Sequence, residues 1–197
     1  MGLLEDLHNW LHSLMKIPSL GNLVPGVARR YMAVNLYDGS LLALGVIVSS
    51  LLINLPPSKT VLNGLVLGFS SAVSGFMGAF LVERAELARE LRELEKHLFI
   101  RLGRRQVYVA GIFLSTVNAA STSTPIFLSL VPFALCERGL LPMQAASVSA
   151  LVLVLLLLLG LGYTLGKSAR ENPLKYGLLA LASGLLIIML ELVLGKD

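Results

Sequence analysis

Apolar residues dominate five stretches of the chain, at about 31–54, 61–82, 107–135, 141–165 and 174–194. Each is long enough to cross a hydrocarbon core of about 30 Å as a helix. Polar positions inside them recur at helical rather than alternating spacing, which predicts an all-α integral membrane protein with five transmembrane helices. Upstream, Leu3, Leu7, Trp10, Leu11 and Leu14 share one helical face, opposite Glu5, Asn9, His12 and Lys16. That pattern predicts an N-terminal amphipathic helix lying in the interface. It begins with acidic Glu5 and Asp6 and lacks the basic start and apolar core of a cleaved signal. Gly21, Pro25 and Gly26 are expected to break this helix. Residues 1–28 then form an interfacial helix and linker, and 29–197 the membrane domain.

The polar punctuation refines the picture. Pro56, Pro57, Ser58 and Lys59 make a short connector, so the first two spans are expected to form a tight antiparallel hairpin. After the second span no Gly or Pro occurs until Gly103, and good helix formers predict a cytoplasmic extension over 83–102. The third stretch holds Pro125 and Pro132, where a break or kink is expected. The run 151–159 is wholly apolar and reads as lipid-facing or packing surface.

Composition agrees with the membrane reading. Hydrophobic residues make up 55% of the chain and charged residues 14%, and the mean hydropathy is +0.78. A soluble domain carries nearer a quarter charged residues. The single cysteine, Cys136, excludes a disulfide within one chain. The net charge of +4 belongs to orientation rather than nucleic-acid binding, because the basic residues gather at segment ends. One set of loops holds Lys16, Arg29, Arg30, Arg84, Arg89, Arg92, Lys96, Arg101, Arg104, Arg105, Lys167, Arg170 and Lys175. The other holds only Lys59, Arg138 and Lys196. This asymmetry places the N-terminus in the cytoplasm and the C-terminus outside. The short length and lack of an organelle-type leader point to a prokaryotic cell membrane.

Within the first span Asp38 lies about 10 Å along the helix at ~1.5 Å per residue. A carboxylate at that depth costs about 2–3 kcal/mol even on lenient insertion scales, so its default reading is functional. Asn35 one turn before and Ser49 three turns after are expected on its face. In the second span Gly64, Gly68, Ser71, Gly75 and Gly78 form a small-residue face suited to close helix packing, within the subunit or across a dimer. Beside it, Asn63, Ser70 and Ser74 read equally as packing or as a polar pathway.

Glu83, Glu86, Glu90, Glu93 and His97 recur at steps of three and four on the extension. They read either as a metal-collecting stripe or as a solvated face paired with Arg89 and Lys96. The adjacent stripe of Leu87, Leu91, Leu94 and Leu98 needs a partner helix. Ser115, Asn118, Thr122 and Pro125 share a face of the third span, where hydroxyls can satisfy proline-freed carbonyls or line a pathway. Glu191, near the outer end of the last span, is expected to reach water. Glu5, His8 and His12 have a spacing that could hold a transition metal, but a solvated polar face is the favoured reading.

The cluster RYMAVNLYDGSLLALGVIVSSLL resembles the first transmembrane segment of the vacuolar iron transporter family, with its Asp-Gly in an apolar setting. GLVLGFSSAVSGFMGAFLVERAELARELRELEKHL is similar to that family's small-residue second helix and its cytoplasmic extension. Five spans, the 121–135 region, the Ser147 region and GYTLGKSARENPLKYGLLALASG follow the same order, so the resemblance covers the chain from about Arg29 onward. It implies a homodimeric, proton-coupled exporter of Fe²⁺ or Mn²⁺ in which Asp38 is the pathway carboxylate and the metal is cargo, with no resident cofactor. It also matches Glu86 and Glu93 to acidic family positions. Leu67 and Gly75 stand where the family carries a pathway glutamate and methionine. His97 replaces a carboxylate, Ile100 takes another ligand position, and the large cytoplasmic metal-binding domain is missing. Two further readings therefore stand beside transport. One is a family-fold protein serving another solute, a channel or a scaffold. The other is a membrane enzyme, which is disfavoured because the spans hold no Ser/His/Asp set and no paired acids.

Overall fold

The computed structural model describes residues 18–98 and 104–195, and these are all helical apart from short connectors. The helices are α1 (Pro18–Leu52), α2 (Pro57–Leu98), α3 (Arg104–Glu137), α4 (Met143–Ser168) and α5 (Pro173–Leu194). All five contain windows long and apolar enough to cross a bilayer. Val66, Val73, Leu81, Leu156 and Leu186 are among many large apolar side chains left exposed. Such a surface is compatible with lipid contact. The amphipathic segment with Glu5, His8 and His12 lies outside the described residues, as does Ile100.

α1 and α3 form the centre. α1 packs on α3, α4 and α5, and α3 packs on α1, α2 and α4. The core between them holds Leu44, Ile47, Ile126, Phe133, Val154 and Leu158. The expected hairpin of the first two spans is not the observed pairing, since α1 and α2 barely touch and α3 lies against both. The small-residue face of α2 explains this. A methyl group at Gly64 would fall 2.9 Å from Leu130 Cδ1, and one at Gly68 would fall 2.9 Å from Phe127 Cζ. The glycines therefore receive large side chains of α3, within the subunit. Gly78 meets nothing within 4 Å, and Asn63, Ser70 and Ser74 are exposed.

Two expected breaks do not occur. α1 runs through Gly21, Pro25 and Gly26 without interruption, so residues 18–28 extend the first helix rather than link to it. α3 likewise continues through Pro125 and Pro132. A proline removes a single ladder bond from a helix of more than thirty residues, and packing on neighbours offsets that loss. The hydroxyls of Ser121, Thr122, Ser123 and Thr124 each donate to a carbonyl four residues back, at Val117, Asn118, Ala119 and Ala120. They do not serve the carbonyl that Pro125 frees, which belongs to Ser121.

α2 continues past the apolar window without interruption to Leu98, as its sequence predicts. Leu87 finds its partner in Ala110 and Leu114 of α3, with Val27 and Tyr31 of α1 beside them. Along α4, Ala146, Ala150, Val154, Leu158, Gly162 and Gly166 form one buried row, and the other face of the 151–159 run is open. Gly162 and Gly177 bring α4 and α5 close together. α5 starts at Asn172, whose side chain accepts from the Leu174 and Lys175 amides, followed by Pro173.

Candidate functional site

α1 carries two polar faces, and each opens onto its own cavity. At 3.6 residues per turn, Gly45 and Ser49 lie within about 20° of Asp38 around the helix, whereas Asn35 lies about 60° away. That offset is enough to send the two polar groups to different neighbours.

The first cavity has a volume of about 670 Å³ and is lined by Asp38, Gly45 and Ser49 of α1, Leu67 of α2, and Ile187 and Glu191 of α5. Asp38 is exposed and makes no hydrogen bond or ion pair among the described residues. The Ser49 hydroxyl donates to the Val46 carbonyl at 3.3 Å, which leaves its oxygen free to accept. Glu191 is not turned toward the membrane surface as expected from its place near the helix end. Its Oε1 lies against α1, where a methyl group on Gly45 would come within 3.1 Å of it. Its Oε2 is buried and has no hydrogen-bond partner. A buried carboxylate oxygen without a donor is costly, and a proton or a cation would satisfy it. Asp38 and Gly45 are seven residues apart, so the Glu191 carboxylate approaches α1 about 10 Å along the helix from where Asp38 is attached.

The second cavity, about 490 Å³, is lined by Arg30, Tyr31 and Asn35 of α1, Glu83, Glu86 and Glu90 of α2, and Asn118 of α3. Glu83 is only 8% exposed, and the Tyr31 hydroxyl donates to its Oε1 at 2.5 Å. Asn35 Nδ2 donates to Asn118 Oδ1 at 2.5 Å and to the Tyr31 carbonyl at 2.7 Å. Asn118 Nδ2 in turn donates to the Gly75 carbonyl at 2.7 Å. One amide chain thus ties α1, α3 and α2 together at this level. Glu86 pairs loosely with Arg89 at 3.9 Å on an exposed surface, a contact of little energetic weight. Among the described residues no three His, Cys, Asp or Glu side chains converge as a metal site.

The structure therefore divides the residues singled out from the sequence. Asp38 and Ser49 share a cavity, but Asn35 belongs to the other one, against the expectation that it shares the Asp38 face. Glu83, Glu86 and Glu90 line that second cavity together. Glu93 is exposed farther along α2, and the His97 side chain lies outside the described residues. Leu67 does stand in the Asp38 cavity, whereas Gly75 serves the amide chain. Sequence reasoning reads Glu191 as reaching water rather than as a cavity residue, and it misses Tyr31. The signal for Glu191 is Gly45, a position on the Asp38 face with room for a neighbouring side chain. The signal for Tyr31 is its place one turn before Asn35.

The amide chain makes a stability prediction. Interhelical hydrogen bonds in membranes contribute about 0.6 kcal/mol on average and up to ~1.7. Asn118→Ala removes two of them and leaves the Gly75 carbonyl without this donor, so it is expected to cost about 1–3 kcal/mol. Thermal melting of the purified protein in detergent checks this, with Asn63→Ala, at an exposed site, expected to be near neutral.

No protein-family model matches the chain. It is similar to an uncharacterized protein of Methanocaldococcus jannaschii, 28% identical over 199 aligned residues that cover 93% of this chain and 99% of that one.

Proposed function

We propose that this protein transports a divalent metal cation, Fe²⁺ or Mn²⁺, out of the cytosol in exchange for protons, with Asp38 as the intramembrane carboxylate. The observation that carries this reading is the cavity that Asp38 and Ser49 of α1 and Glu191 of α5 line together. Carboxylate and hydroxyl oxygens suit hard and borderline divalent cations, and carboxylates can exchange metal for protons. Ionisable groups at such depth are expensive to keep for packing alone. Glu83, Glu86 and Glu90, about two turns or more from Asp38 toward the basic loops, would attract cations to the pathway, with Glu93 and His97 beyond them. The resemblance to the vacuolar iron transporter family in the order of its segments supports the same cargo.

In this reading the N-terminus is cytoplasmic and the C-terminus outside, in a cell membrane, and two copies associate. Leu67 favours a second reading, in which the same fold serves another solute, a channel or a scaffold. It places an apolar side chain in the cavity where a further oxygen or sulfur ligand would strengthen a metal site. Uptake of Fe²⁺ and Mn²⁺ into proteoliposomes under an imposed proton gradient separates the two. Gradient-dependent flux is the expected result, and folded protein that moves neither metal would favour the second reading.

A further inference from the structure

A third cavity, of about 680 Å³, lies between α1 and α4; no carboxylate lines it, and it shares Arg30 and Val34 with the acidic cavity. Arg29 and Arg30 stand at one end, beside Ser168 of α4, where the helices meet the basic loops. Deeper in, its walls are apolar and include Met32, Leu36, Leu161 and Leu165. From Arg29 to Leu36 the groove runs about 10 Å along α1. Both arginines are exposed, and neither pairs with a carboxylate among the described residues. Arg30 also borders the acidic cavity, so Arg29 is the guanidinium committed to this groove.

The hydroxyls of Thr164 and Ser168 donate to carbonyls of their own helix, at Leu161 and Thr164. Their oxygens are left toward the groove as acceptors. Cationic and accepting groups at the membrane edge, continuous with a dry apolar trough, match a phospholipid with an anionic, hydroxyl-bearing headgroup. Guanidinium donates to phosphate oxygens in a fork geometry. Basic pockets between transmembrane helices take anionic headgroups for this reason. A soluble anion would leave the apolar walls unused, and a zwitterionic lipid would bring its own cation to the arginines.

We infer that the α1–α4 groove is a binding site for an anionic phospholipid, with the phosphate at Arg29 and Arg30 and an acyl chain along Leu36 and Leu161. The site depends on membrane placement of the helices but not on cation transport. Its test therefore reads lipid rather than flux. The full chain in detergent is titrated with phosphatidylglycerol or phosphatidylcholine, and bound lipid is counted by native mass spectrometry alongside the melting temperature. Phosphatidylglycerol is expected to be retained and to raise the melting temperature, whereas phosphatidylcholine does neither. R29Q/R30Q is expected to weaken phosphatidylglycerol binding on the order of 30-fold. R89Q/R92Q, on the exposed part of α2, leaves it unchanged.

Leu165→Trp, at a partly exposed groove position, keeps both charges but fills the trough, and is expected to displace the lipid. It also guards against misfolding of the arginine variant. Equal binding of both lipids would overturn the inference. So would wild-type affinity in R29Q/R30Q or in Leu165→Trp, which would place the bound lipid elsewhere on the protein. A melting shift produced by inorganic phosphate alone would assign a soluble-anion site instead and would equally overturn it.

Discussion

Asp38→Asn is expected to abolish gradient-driven Fe²⁺ or Mn²⁺ uptake while leaving the protein folded. The side chain is exposed and makes no hydrogen bond or ion pair among the described residues. An isosteric amide there removes a charge that is costly at this depth, so the variant should be no less stable than wild type. Flux should fall by at least about 100-fold, because even partners that only orient metal ligands cost about 10–100-fold when removed. Glu191→Gln keeps the shape of the second carboxylate and removes its charge. It is expected to impair flux as well, since Asp38 would then be the cavity's remaining acid. The measurement is initial-rate uptake into proteoliposomes, with melting temperatures confirming the fold of each variant. Wild-type uptake in Asp38→Asn would sink the transport mechanism, and unaltered uptake in Glu191→Gln would remove α5 from it.

Gly39→Ala is expected to have the largest effect on stability. A methyl group at this position overlaps the carbonyl oxygen of Thr122 and lies 3.0 Å from its carbon and 3.3 Å from Cδ of Pro125. The first two are backbone atoms of α3, which also packs along α2, so no side chain can rotate away. α1 and α3 must separate, and overpacking of this kind costs about 1–3 kcal/mol, occasionally more. A melting temperature lower by about 2–12 °C follows for a chain of this size. Gly78→Ala supplies the contrast, because nothing lies within 4 Å of it. It should be neutral or slightly stabilising through helix propensity. A Gly39→Ala protein that melts like wild type would mean that α1 and α3 do not approach as closely as the structure places them.

These two neighbours in sequence, Asp38 and Gly39, mark how far one-dimensional reading reaches. The depth of Asp38 follows from counting residues along an apolar run, and the cost of a charge at that depth already identifies it as a candidate. The role of Gly39 cannot be counted off, because it depends on a carbonyl of α3 more than eighty residues away. The same holds for Glu191. Its position near a helix end predicts an exit to water, but the direction of the side chain depends on the room that Gly45 leaves beside it. Asn35 was misassigned for a related reason. A three-residue step keeps two groups within about 60° of each other, and a neighbouring helix can divide such an arc.

The sequence by itself determined the helical class, the five apolar segments and the extension of α2 to Leu98. Those properties depend on local propensity and hydropathy, which are written residue by residue. It also marked the glycine row of α2 as a contact face, though not which helix would fill it. Tertiary structure decided that α3 rather than α1 receives that row and that Pro25, Pro125 and Pro132 stay inside continuous helices. It also decided that Asp38 shares a cavity with Glu191 rather than with Asn35. Each of these outcomes turns on which surfaces fit at contact distance across segments far apart in the chain, and no periodicity within one segment encodes that fit.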